Sequence, residues 1–250
     1  MEQKQKKIFG NNLSTWMESK DFIIAMRRGL LLCIPFFIIG SFCVLLTSFP
    51  VAVYQEWIRE VCNGMVYQAI LWVYHASMGS VTLFVILTVS HSYASQVEEE
   101  DTGFYMLTSL VSYMIFVQSG IEGITYTVFE ATWMFTGILI TIISCVVFRT
   151  VKSAYKHHIK NKYQAGVDVD FQNTVEAILP ITCVIFMWAV LRLLLALLGV
   201  ETDIQNIGSG LLTKLFGVIG TGAVGAALFL FLSQISWFFG IHGSDMLHVV

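Results

Sequence analysis

Residues 61–97 contain no Asp, Glu, Lys or Arg, a run of 37 positions. As a single helix the run would reach about 55 Å at 1.5 Å per residue. One crossing of a bilayer's hydrocarbon core needs only roughly 30 Å. The run must therefore break, and Ser77-Met78-Gly79-Ser80 is the expected place. Residues 61–76 then form a surface or half-inserted helix carrying Tyr67, Trp72 and Tyr74, side chains of the kind that gather at membrane interfaces. Residues 79–95 form a span. The composition agrees: 56% of the 250 residues are hydrophobic and 12% charged, against roughly 25% charged in soluble domains. A soluble enzyme is excluded.

The other apolar runs complete an all-α, polytopic membrane helix bundle of about six spans, since each needs about 20 residues. Residues 29–49 form the first, with Pro35 in its first half and Pro50 just beyond its end. Residues 104–118 and 132–148 form the third and fourth. The fifth, 175–198, is entered through Pro180. The sixth ends at Phe239 and opens on Gly217, Gly220, Gly222 and Gly225, which suit close helix packing or a hinge. Residues 1–28 are a basic lead-in whose apolar positions fit a helix lying on the membrane face, or a solvated tail. The apolar run after it is of full membrane length, unlike the short core of a cleaved signal. Residues 199–216 are amphipathic.

Charge sets the orientation. With a cytoplasmic N-terminus, eleven of the 14 Lys and Arg fall on inner segments, five of them in the loop of Arg149, Lys152, Lys156, Lys160 and Lys162. Arg59 and Lys214 fall outside and Arg192 lies within the fifth span. The positive-inside rule favours this arrangement. Arg192 either snorkels to the near interface or pairs with another helix. Glu98-Glu99-Glu100-Asp101 reads as a solvated turn.

Few residues invite chemistry. Cys33, Cys43, Cys62, Cys145 and Cys183 are scattered singly without metal or redox spacing, so they read as small packing residues and no disulfide is expected. His91 reads as a packed or interfacial side chain. His157 and His158 are adjacent, and neighbours on a helix point apart, so a solvated face is expected rather than a metal site. No metal, cofactor or nucleic acid is expected.

The remaining feature is the end of the sixth span. Residues 218–239 carry no charge, and then Gly240-Ile241-His242-Gly243-Ser244-Asp245 follows. Two glycines around an imidazole free the backbone to turn and let a ligand approach. A non-helical turn at membrane depth survives only within protein or beside a water-filled cavity. A re-entrant tip with one titratable group is one reading. A helix end with its histidine at the interface is the other. The inferred topology puts His242 toward the cytoplasmic side.

The segment Trp237-Phe238-Phe239-Gly240-Ile241-His242-Gly243 resembles the signature of the IIC component of the bacterial phosphotransferase system, in its lactose/cellobiose/diacetylchitobiose branch. The resemblance extends through Ala25-Met26-Arg27-Arg28-Gly29-Leu30, Ile34-Pro35, Gly40-Ser41 and Ile178-Leu179-Pro180, and covers essentially the whole chain. It implies a multi-pass protein of the bacterial plasma membrane and a homodimer. In that scheme residues 1–28 are a lead-in, 29–198 a five-helix dimerisation region and 199–250 the start of a sugar-binding region. The resemblance further implies that His242 contacts the sugar near the hydroxyl that receives phosphate. Gly240, Ile241, Gly243, Ser244 and Asp245 would complete that part of the site, although Ser244 and Asp245 equally suit capping of the next helix. The phosphate donor would be a phosphocysteine on a separate soluble IIB protein, so none of the five cysteines is expected to serve.

The sequence departs from the family pattern in three places. It contains no Asn-Glu-Pro, the motif whose glutamate usually partners the histidine. Gly166-Val167-Asp168-Val169-Asp170-Phe171 stands where a Pro-rich Lys-Met-Pro stretch is usual, and Gly243-Ser244-Asp245 replaces Gly-Ala-Asn or Gly-Gly-Asn. By analogy the chain corresponds to the N-terminal half and is expected to be inactive alone. Two functions compete: a permease for a β-linked, cellobiose-like disaccharide, and the sugar-sensing membrane input of a cyclic-di-GMP signalling protein. A membrane scaffold is a third reading.

Overall fold

The computed structural model describes residues 21–97, 101–118, 124–159, 169–198 and residue 230. All regular structure among them is helical. The helices are α1 (Asp21–Thr47), α2 (Ala52–Glu60), α3 (Met65–Ala76), α4 (Val81–Gln96), α5 (Thr102–Val117), α6 (Met134–Ile159) and α7 (Val169–Leu197). Four stretches are long and apolar enough to cross a membrane: Phe22–Thr47, Ala52–Gln96, Ala131–Tyr155 and Phe171–Leu197. Thr102–Val117 is a shorter apolar helix, about 24 Å long at 1.5 Å per residue. Apart from residue 230, the expected sixth span lies outside the described residues, as does the amphipathic stretch 199–216.

The long charge-free run breaks where the sequence requires. α3 ends at Ala76, a single turn of 3-10 helix covers Met78–Ser80, and α4 starts at Val81. Serine hydroxyls cover carbonyls at the break: Ser77 Oγ donates to Val73 O at 2.6 Å, and Ser80 Oγ to His75 O at 2.8 Å. A freed carbonyl inside a bilayer needs such a partner, because water is absent. α3 itself buries no side chain and leaves Met65 and Trp72 exposed, as a surface or half-inserted helix would. A second break precedes it. Cys62, Asn63 and Gly64 all take left-handed backbone angles, with φ of 53°, 56° and 81°. That reverses the sense of the chain for one turn and separates α2 from α3. α2 in turn caps α1, since Gln55 Nε2 donates to Thr47 O and Phe49 O, both at 2.9 Å.

Several helix bounds differ from expectation. Asp21 to Arg28 are helical and continuous with the span, while the rest of the lead-in, 1–20, lies outside the described residues. α6 runs to Ile159, past Arg149 and Lys152, where the sequence suggested a loop. α7 begins at Val169, so Pro180 lies inside it rather than at its start. Charge marks where lipid ends; it does not end a helix, and Arg, Lys and Ala are good helix formers.

α4 is central. Val81, Val85 and Val89 pack with Met26, Leu30 and Cys33 of α1 and Met134 and Ile138 of α6. Ile86, Tyr93 and Ala94 join a second cluster with Tyr105 and Tyr113 of α5, Phe148 of α6 and Trp188 of α7. Glycine permits the α1–α4 approach. A Cβ at Gly29 would stand 2.7 Å from the Val89 Cα and N, and one at Gly40 would stand 2.5 Å from the Met78 Cβ. Neither side chain exists, so the two backbones lie against each other, in the manner of small-residue packing in membranes.

Candidate functional site

Gly240, Ile241, His242, Gly243, Ser244 and Asp245 lie outside the described residues. The polar chemistry of the described residues falls in three places.

The first joins the 124–133 connection to the α3–α4 break. Tyr126 Oη, Ser80 Oγ and the His75 carbonyl lie within hydrogen-bond distance of one another, and the two hydroxyl protons serve two of the three contacts at a time. The His75 ring stands edge-on to Tyr126, with centroids 6.1 Å apart. Thr82 Oγ1 donates to Glu130 O at 2.6 Å, and Tyr113 Oη to Val128 O. Short 3-10 turns over Tyr126–Phe129 and Ala131–Trp133 expose carbonyls that α-helix would satisfy internally, and these hydroxyls cover them. The sequence suggested the break but not the tyrosine that closes it, because Tyr126 is 51 residues from His75 along the chain.

The second is Arg192. Its Nη2 donates to Gln118 O at 3.0 Å, at the C-terminal end of α5, where unpaired carbonyls and the helix dipole both favour a cation. Of the two readings the sequence allowed, pairing with another helix is what the structure has.

The third is the bundle interior. Ser90, Ser109, Ser112, Thr141 and Ser144 are fully buried. Trp188 Nε1 donates to Ser144 Oγ at 2.9 Å, and Ser109 Oγ lies 3.5 Å from Cys145 Sγ. In lipid such hydroxyls and small side chains join helices that hydrophobicity cannot hold together.

The other sequence candidates do not converge. His91 is exposed on α4. His157 and His158 fall on α6, with side chains outside the described residues. No group of three or more His, Cys, Asp or Glu that could hold a metal occurs among the described residues. Cys33, Cys43 and Cys145 are buried packing residues, as expected; Cys62 and Cys183 are exposed. Cys33 Sγ also lies 3.4 Å from Thr88 Oγ1, across the α1–α4 contact.

Comparison with known proteins supplies what the described residues do not. The family model described as "Phosphotransferase system, EIIC" matches residues 27–248. The cellobiose-specific EIIC component of Geobacillus stearothermophilus is 25% identical over 88% of this chain and 51% of its own length. The oligo-beta-mannoside-specific EIIC component of Bacillus subtilis (strain 168) is 23% identical over 94% of this chain and 53% of its own. The chain thus spans about half the length of the curated relatives it matches. Among solved structures, the transporter ChbC, the IIC component from an N,N'-diacetylchitobiose-specific phosphotransferase system, shares the fold with a TM-score of 0.70. It is 20% identical, and the match covers 95% of this chain and 57% of that one.

Proposed function

The chain belongs to the EIIC family of the phosphotransferase system, and from that premise we propose that it is part of a permease that binds and translocates a β-linked, cellobiose-like disaccharide for phosphorylation. The observation that carries this is the family match across 27–248, which includes the His242 motif, together with relatives specific for cellobiose and oligo-beta-mannosides. The protein works with a soluble IIB phosphocarrier, sits in the bacterial plasma membrane with its N-terminus cytoplasmic, and forms a homodimer. The relatives are EIIC components of sugar-specific phosphotransferase systems, and they give the signalling alternative no support.

In this reading His242 sits on a glycine-bounded turn formed by Gly240, Ile241, Gly243, Ser244 and Asp245, against the sugar hydroxyl that becomes phosphorylated. A neutral imidazole both donates and accepts hydrogen bonds and titrates close to neutral pH. It orients the hydroxyl and takes its proton as the oxygen attacks phosphorus, while the phosphoryl group leaves the IIB phosphocysteine. The bundle's part is positional, because phosphoryl transfer rests on alignment more than on covalent work by the protein.

The test is phosphoenolpyruvate-dependent phosphorylation in membranes carrying the complete gene product and its IIB protein. The expected result is phosphorylation of cellobiose or a close β-linked analogue, lost in His242→Ala. No phosphorylation across a disaccharide panel overturns the reading.

A further inference from the structure

We propose that the seam between α5 and α6 holds one buried water molecule, bridging Thr141 Oγ1 and Ser112 Oγ. The two helices run antiparallel, and their register is set by two observed contacts. Tyr105 meets Phe148 with ring centroids 4.5 Å apart, and Ser109 meets Cys145 at 3.5 Å. Moving one turn further along each helix in its own direction of the seam brings Ser112 opposite Thr141. Both residues are fully buried.

Their hydroxyls are used differently. Ser112 Oγ donates to Thr108 O at 2.7 Å, within its own helix, which spends its proton and leaves its lone pairs to accept. Thr108 and Ser90 bond back in the same way, to Phe104 O and Ile86 O, each at 2.6 Å. Thr141 Oγ1 does not: it has no hydrogen-bond partner among the described residues, although it is shut off from solvent. A hydroxyl so placed is costly unless paired. Water suits the position: it accepts the Thr141 proton and donates to Ser112 Oγ. Its second hydrogen is left for a further acceptor, and two to four polar partners are what a buried water requires. The neighbours of Thr141 one turn either way along α6 are small. Cys145 lies one turn along α6, and Gly137 one turn back is closed by α4, where a Cβ would meet Thr82 Cγ2 at 2.9 Å.

The test uses the full chain in lipid nanodiscs. In deuterated protein, solid-state NMR is expected to show magnetisation transfer from water to Thr141 and Ser112. Thr141→Val, which keeps the shape and removes the hydroxyl, is expected to abolish the transfer at Ser112 and lower Tm by a few degrees. Thr141→Ser keeps both the transfer and Tm. On the Thr141→Val background, Ser112→Ala is expected to lower Tm less than it does alone, because the bridge is already gone. Absence of transfer in the wild type overturns the proposal, and so does a Thr141→Val protein that melts at or above wild type. Should Thr141→Val fail to fold, the wild type and Thr141→Ser still decide the question by NMR.

Discussion

α4 and α7 are both apolar membrane helices, yet they are held by different means. α4 is enclosed by α1, α5 and α6: valines 81, 85 and 89 face one cluster, Ile86 and Tyr93 the other, and Gly29 and Gly137 bring neighbouring helices close against it. α7 touches the bundle through Ala177, Val184 and Trp188, and turns Ile178, Phe186, Val190, Leu193 and Leu197 outward. The more exposed α7 is the more apolar of the two, so hydrophobicity does not decide which is inside. In a bilayer lipid tails are as apolar as leucine, and glycine contacts, buried hydroxyls and an arginine cap carry the selection instead. Apolar mass is cheap to change at α7, and single small or polar atoms are expensive to change around α4.

That contrast can be broken by mutation. Gly29→Leu has the largest expected effect, because its Cβ meets the Val89 backbone, which cannot rotate away. A loss of about 3 kcal/mol or more is expected, seen as a collapse of Tm in detergent; a normal Tm would refute backbone contact between α1 and α4. Arg192→Gln comes next. It removes a charge-assisted bond to the end of α5, with an expected cost of about 1.5 kcal/mol and faster proteolysis of the connection after Gln118. Trp188→Phe keeps the ring but drops the bond to Ser144, and should cost about 1 kcal/mol in reversible unfolding. Phe186→Ala should be nearly silent, within about 0.5 kcal/mol, since the ring is 65% exposed. A large fall in Tm there would show that protein rather than lipid covers the face.

The same contrast explains what was legible beforehand. The break at Ser77–Ser80 could be read because 37 uncharged residues are too long for one crossing, a matter of length alone. The third span expected at 104–118 is a helix at Thr102–Val117, shorter than the four membrane-length stretches and bounded by charged Asp101 and polar Gln118. Pairings between distant residues were not legible. Nothing in the order of residues ties Tyr126 to His75, or Arg192 to Gln118, since each depends on how helices lie side by side. The extension of α6 beyond Phe148 was not legible, because charge marks the edge of the lipid and not the end of a helix. The site at Gly240–Asp245 stands on its sequence motif and the family match, which includes it within 27–248.

Gly29 and Gly40 are three helical turns apart on α1, and each meets α4 or the break before it where no larger side chain fits. Two such notches fix α1 against its neighbour in translation and in rotation together. Sliding by a turn would drive Cys33 or Phe36 into main chain at one notch or the other. The pair has one seat, so any rearrangement of the bundle must carry α1 and α4 together as a single unit.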